Sequence, residues 1–264
     1  MPAPEIPALP IAYVRALQLM REPDAGLNRL VEIANGDAAF TAALIRLGNS
    51  AESAPLVRVR TPRDAIVRLG FPSARRAILG VTLRGAFRGV TGSQVDEEEM
   101  WRHLFSVALI ADAMSWGEVR YSDAFTAGLL HDIGRLAMAA QDPPHYAQVV
   151  ALARRGIPAS DVERRLFGLN HVEWGATLGR QWGFPDDVVS AIASHHEEGD
   201  GGTLGWVVAR ARSLSNQLGI GDGVTLAPPF MADPDALPIP LFEDMGGPER
   251  VLEQVNRFKT SIAA

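Results

Sequence analysis

Ala127-Gly128-Leu129-Leu130-His131-Asp132-Ile133-Gly134-Arg135 is the stretch on which the reading of this chain turns. An apolar helical run, Ala124 to Leu130, ends in an adjacent His and Asp. Gly134 is then expected to leave the helix or take a left-handed turn. Burying His131 and Asp132 costs free energy unless something satisfies both side chains. A divalent metal does so, because neutral imidazole and carboxylate are both good ligands for zinc, manganese or iron.

The chain has six histidines: His103, His131, His145, His171, His195 and His196. His103 lies within Trp101–Ala108, His171 within Gly168–Ala176, and His195-His196 follow Val188–Ser194, all apolar helical surroundings. Only His145, after Asp142-Pro143-Pro144, reads as a loop or helix-start residue. One histidine on an apolar face is ordinarily a hydrogen-bonded core residue. Five of the six, recurring with an Asp, predict one shared polar centre, because scattered burial would leave several polar groups unsatisfied.

At 264 residues the chain is long enough for one large domain or two small ones, and 47% apolar content is ordinary for a globular protein. A net charge of −6 gives no general attraction to nucleic acid or an anionic membrane, so direct nucleic-acid binding is not expected. No apolar run approaches the roughly 20 residues a membrane span needs. Met1-Pro2-Ala3-Pro4-Glu5 lacks the basic and apolar regions of a secretory signal, and the expected location is the cytoplasm. The absence of cysteine means that any metal must be held by His, Asp, Glu and water. Lys259 is the only lysine, so basic function rests almost wholly on arginine.

Helical spacing recurs from one end to the other, and no convincing alternation of period two is present. A Pro-rich lead runs into a helix over Ile11–Met20. Asp24 is placed to cap a helix carrying Leu27, Leu30, Val31 and Ala34 on one face, and Asp37 starts another with Phe40, Leu44 and Leu47. Thr61-Pro62 is a helix start with Pro at its first position, and Pro72-Ser73 opens Ala74–Phe87. Asn49-Ser50 reads as a helix C-cap and turn. The arginines at 75, 76, 84 and 88 read as a surface stripe, and Trp101, Trp174 and Trp182 as core. Gly89–Gln94 is a loop and the boundary candidate. Further helices are expected over about 97–116, 122–132, 144–155, 159–167, 171–182, 186–196 and 203–218. Residues 219–248 are rich in Gly and Pro and read as an irregular wrap whose Leu226, Phe230, Met231, Leu237 and Leu241 can pack. Pro248 opens a last amphipathic helix.

The chain resembles the HD-related output domain (HDOD) family, a regulatory branch of the HD metal-dependent phosphohydrolases. The resemblance is carried by Asp37–Ala51, Thr61–Gly70, Trp101-Arg102-His103, Ala127–Gly134, Gly168–Ala176, Trp182-Gly183-Phe184-Pro185 and Ser194-His195-His196, and covers about residues 7–220. It implies an all-α fold, with an N-terminal helical lobe (1–92) packed on an HD-like helical bundle (93–220), then the wrap and last helix (221–264). It also implies a metal ligand set: His103, the pair His131 and Asp132, and further His171, His195 and His196. Glu99, one turn before His103, is a candidate additional carboxylate.

Two departures bear on activity. The relatives' late Asp should fall in Val207–Leu214, where there is no acid, and the alignment puts Arg212 at the position. The Gly-Tyr-Pro that cyclic-di-GMP phosphodiesterases of this superfamily carry after the paired histidines is absent from His195–Thr203, and Arg135 stands where those enzymes have lysine. At an effective dielectric near 20, an Arg about 4 Å from a divalent ion repels it by roughly 8 kcal/mol. Arg212 is also expected to pair with Asp132 in place of a metal. The favoured reading is therefore a regulatory, signal-transduction module with a degenerate site that binds no cofactor, or manganese, iron or zinc weakly. It would act on a signalling protein partner or a small nucleotide ligand. The alternatives are a metal-dependent phosphohydrolase acting on a nucleotide or cyclic dinucleotide, and a structural metal without chemistry.

Overall fold

The computed structural model describes residues 26–50, 58–87, 90–115, 123–197, 201–226 and 244–263. Every regular element among them is a helix. In chain order these are α1 (Leu27–Asn35), α2 (Ala38–Asn49), α3 (Pro62–Leu69), α4 (Phe71–Ala86), α5 (Glu97–Met114), α6 (Ala124–Leu130), α7 (Ile133–Gln141), α8 (Pro143–Ala153), α9 (Ala159–Phe167), α10 (His171–Gln181), α11 (Asp186–Ser194), α12 (Leu204–Gln217) and α13 (Pro248–Ile262). The helix expected over Ile11–Met20, the Asp24 cap, Arg88 and the packing residues at 230, 231, 237 and 241 lie outside the described residues.

Short polar side chains set the helix starts. Asp37 accepts from the N–H groups of Ala39 and Phe40, Thr61 from Asp64 ahead of Pro62, and Asp96 from Glu99. Asn170 and Glu173 close a reciprocal capping box at the start of α10. Each such cap satisfies donors that the first turn leaves open.

The chain divides into two units, one over Pro7–Arg88 with Asn256–Ala264, the other chiefly Gly89–Val255. In the first, Leu30, Phe40, Leu44, Ile66, Ile78 and Leu79 are buried. Asn49 does more than end α2. Its amide donates to the carbonyl of Val59 at 3.0 Å and accepts from the Val59 N–H at 2.9 Å. Arg46 donates to the carbonyls of Ser261 and Ala263, tying the end of α13 to α2. Arg75 and Arg76 are half-buried, and the Arg75 guanidinium lies over the Phe71 ring.

In the larger unit α5 packs against α6 and α12, α10 against α7 and α11, and α11 against α12. Trp101 and Trp174 are core residues, and Trp182 is half-buried. Glycine lets two of these pairs approach closely. A Cβ on Gly128 would stand 2.8 Å from Ala108 Cα across the α5–α6 contact.

Gly134 corrects the sequence reading. It neither ends a helix nor turns left-handed. It lies in the first turn of α7, a helix the spacing argument passed over, because a Cβ there would run into the carbonyl oxygen of His171 and stand 2.8 Å from Gly175 N. The glycine serves backbone-to-backbone approach between α7 and α10.

Candidate metal centre

His131 and Asp132 occupy a two-residue break between α6 and α7. His131 follows the last turn of α6 and Asp132 precedes the first turn of α7. The positive end of α7 favours the carboxylate. His103 comes from α5, His171 opens α10, and His195 and His196 follow α11. Five elements thus deliver six side chains, and the structure brings all six together. Asp132 is the hub. Its Oδ1 lies 3.3 Å from both His171 Nε2 and His195 Nε2, and its Oδ2 lies 3.5 Å from His131 Nε2 and 3.8 Å from His103 Nε2. His103 and His131 face each other at 3.1 Å between Nε2 atoms, His171 and His196 at 2.9 Å. Two donor groups share one carboxylate: His103, His131 and Asp132, and Asp132, His171, His195 and His196.

The outer hydrogen bonds orient the rings. His131 Nδ1 donates to the Gly128 carbonyl and His195 Nδ1 to the Ile192 carbonyl, each at 2.7 Å. His171 Nδ1 donates to the Glu163 carboxylate. A neutral ring that donates from Nδ1 presents a bare lone pair at Nε2. Burial lowers the pKa of His131 and His195 against the pull of Asp132, and lowers that of His103 to about 4. Burial, then the neighbouring His195 and Arg212, lower that of His196 to about 3. The Nε2 lone pairs of His131 and His195 therefore point inward at Asp132, while His103 Nε2 faces His131 and His196 Nε2 faces His171. Both oxygens of Asp132, together with His195 Nε2, are buried without a hydrogen bond of good geometry. Such a set calls for a cation, and the donor chemistry fits a divalent metal: imidazole nitrogens oriented from behind, around a shared carboxylate.

One cation is supplied by the chain itself. Arg135, only 3% exposed, places Nε 3.3 Å from Asp132 Oδ1 and Nη1 3.3 Å from Asp222 Oδ2. Burial alone would raise the pKa of Asp132, but Arg135 and then the histidines hold it well below the usual carboxylate range. Against the same burial penalty, Arg135 holds Asp222 down to about 2. This corrects the expected Arg212–Asp132 pair. The partner of Asp132 is Arg135, one helical turn on, whereas Arg212 on α12 bears on His103 and His196 through its charge. Glu99 is not among the clustered donors either. Its Oε1 accepts from the Gly221 N–H at 2.7 Å, anchoring the segment that carries Asp222. His145 stands apart at the exposed start of α8, paired with Asp142.

Three further residues complete the surroundings. Glu163 is fully buried and accepts from Tyr146 Oη, His171 Nδ1 and the His171 N–H. A signal for it exists in the sequence: it sits between Ala159 and Phe167 at four-residue spacing, an acid on an apolar face. Asp222 has no such signal, since it lies in irregular chain between Gly221 and Gly223. Its Oδ1 accepts from the N–H groups of Val224 and Thr225 and from the Thr225 hydroxyl. A cavity of about 370 Å³ opens beside the centre, with His171, His196, Arg135, Arg212 and Asp222 in its wall.

Comparison with known proteins places this geometry. A 25% identical protein of Shewanella amazonensis, provisionally named a phosphohydrolase, superposes with a TM-score of 0.71, covering 98% of this chain and 96% of that one. An HDOD domain protein of unknown function from Geobacter sulfurreducens, 23% identical, gives a TM-score of 0.72 over 98% of this chain and 92% of its own and supports the fold. A provisionally named signal transduction protein of Marinobacter aquaeolei is 28% identical with a TM-score of 0.67, covering 98% of this chain and 58% of its own. Among curated sequences, an uncharacterised protein of Treponema pallidum is 24% identical over 196 residues, 73% of this chain and 38% of that protein. Ribonuclease Y of Thermus thermophilus is 31% identical over 155 residues, 58% of this chain and 21% of the enzyme. The chain thus spans well under half the length of the curated relatives it matches. The HDOD domain itself matches residues 6–198, from the first unit through the paired histidines, and on that extent the chain belongs to the HDOD family.

Proposed function

We propose that this chain is a regulatory, signal-transduction HDOD module that acts through a protein or ligand interaction and does not turn over phosphate esters. The observation that carries the reading is the excess of built-in cations: Arg212 stands in the cavity wall where the relatives' late Asp is expected, beside the buried Asp132–Arg135–Asp222 array. The array places a permanent cation on the carboxylate shared by both donor groups. Asp132, Asp222 and Glu163 oppose Arg135 and Arg212, a net −1 before any metal. One divalent ion takes the region to +1 and two take it to +3, in surroundings where charge is poorly screened. The site is therefore a degenerate one, suited to a single weakly held manganese, iron or zinc ion.

His103, His131 and Asp132, or Asp132, His171, His195 and His196, would hold that ion. When bound, it supplies Lewis-acid stabilisation to a phosphoryl oxygen. Glu163, Gly128 and Ile192 fix the rings that would receive it, and Arg135 limits the negative charge available to it. The likeness to the Marinobacter signal transduction protein supports the regulatory reading. The inward set of Nε2 lone pairs favours a second reading, a metal-dependent phosphohydrolase acting on a nucleotide or cyclic dinucleotide, in keeping with the name of the Shewanella relative.

The two are separated by assaying purified full chain with manganese, iron or zinc against cyclic-di-GMP and a chromogenic phosphodiester. No metal-dependent turnover is expected. A rate of about 1 per second or above, in the ordinary enzyme range, would replace the regulatory reading with the hydrolytic one.

A further inference from the structure

We propose that the cavity beside the centre binds the phosphate of a small phosphate ester, of mononucleotide size, through Arg212. The inference rests on the regulatory reading of the site and names the class of ligand that would act there.

Two guanidinium groups line the cavity, and only one is matched. Arg135 is engaged by Asp132 and Asp222. Arg212 is half-buried, its Nε is buried without a hydrogen bond, and it forms no ion pair with the described residues. Withdrawing a guanidinium from water without an opposing anion is costly, and its planar fork of donors matches phosphate oxygens. The carboxylate in the wall, Asp222, offers Arg212 little opposing charge. Asp222 already accepts three hydrogen bonds at Oδ1 and faces Arg135 at Oδ2.

The rest of the wall suits the same ligand. Asn216 lies one turn beyond Arg212 on the same face of α12. Ser160 is in the first turn of α9, where Pro158 provides no side-chain cap, so the N–H groups of Ala159 and Ser160 and the Ser160 hydroxyl are available to a phosphate oxygen, although the exposed Asp161 in the same turn offsets the positive helix end. Pro158 and Leu226, the latter 68% exposed, give an apolar surface for the organic part of the ligand. A volume of about 370 Å³ falls within the range of small-molecule sites.

The test is calorimetric titration of the metal-stripped full chain with AMP, adenosine and inorganic phosphate. AMP is expected to bind, inorganic phosphate to compete with it, and adenosine to bind at least tenfold more weakly than AMP. Arg212→Gln should weaken AMP binding about tenfold or more, the loss of a charged hydrogen-bonding partner. Arg212→Lys should recover part of that loss, with both variants melting like the wild type. Equal affinity for AMP and adenosine, an unaffected Arg212→Gln variant, or no binding of AMP at millimolar concentration would overturn the assignment. Because no metal is present, the result stands apart from the turnover assay. A protein that binds AMP through Arg212 and also hydrolyses phosphodiesters when metal is restored would refute the regulatory reading and leave this site intact.

Discussion

Arg135 gives Asp132 the positive neighbour that a metal would otherwise provide. Its guanidinium is held 3.3 Å from each of two buried carboxylates. Removing one partner of such a buried array leaves the others uncompensated, typically at about 3–5 kcal/mol. Arg135→Met should therefore destabilise the metal-stripped protein by about that amount in urea denaturation. The same variant should bind zinc or manganese more tightly than wild type, and the added ion should restore most of the lost stability, since it neutralises the carboxylates that Arg135 leaves behind. A variant that unfolds at the wild-type urea concentration without metal would show that Arg135 is not the counter-charge. The six clustered donors were legible in the sequence because histidine is rare in apolar helical runs. The counter-charge was placed on the wrong arginine because sequence spacing says which residues share a helix face, not which face meets the centre. Arg135 lies in the first turn of α7, directly after Asp132, whereas Arg212 reaches the region from α12, distant in sequence.

The centre is built from helix ends more than from helix faces. His131 and His195 follow the last turns of α6 and α11, and their Nδ1 atoms donate to carbonyls of those turns. Asp132 and His171 stand at the first turns of α7 and α10. Helix ends carry the unmatched backbone groups that can orient polar side chains in an apolar interior. The helix starts at Asp37 and Thr61 were readable because each needs only a local spacing. Helix α7 was not, because only two residues separate it from α6 and a glycine in its first turn looks like a stop. What that glycine answers to is α10, distant in sequence. Gly134→Ala should drive α7 and α10 apart, since the new methyl group would meet the His171 backbone. The expected cost is about 3 kcal/mol or more, with loss of metal affinity as His171 moves away from Asp132. Chemical denaturation and zinc titration of that variant check both effects. Unchanged stability would mean that the two helices are not in backbone contact.

At the scale of the whole molecule, a core that encloses so many ionisable groups makes folding sensitive to acid. His103 is held neutral by burial, with a pKa lowered from 6.5 to about 4, and His196 is lowered to about 3. His131 and His195 shift the same way. An unfolded chain binds protons at these histidines once the pH falls below about 6.5, whereas the folded chain does not until well below that. The unfolded state therefore holds more protons through this window, and stability falls as the pH drops from about 6.5 toward 4. For His103 alone the shift amounts to something on the order of 3 kcal/mol. The carboxylates then act in the same direction at lower pH. Asp222 is lowered from 3.8 to about 2 by Arg135, so the stability it contributes is present above about 3.8 and lost as the pH falls through 2. Asp132 and Glu163, also lowered, reinforce that second loss. Acid destabilisation of the metal-stripped protein should thus begin at about pH 6, above the onset expected if only carboxylates were involved. Urea midpoints measured in chelator at pH 7, 5.5 and 4.5 test this, with a steady decline expected across the series. Equal midpoints at pH 7 and 5.5 would mean that the histidines are not held neutral in the fold, and the inward lone-pair arrangement on which the metal argument depends would fall with them.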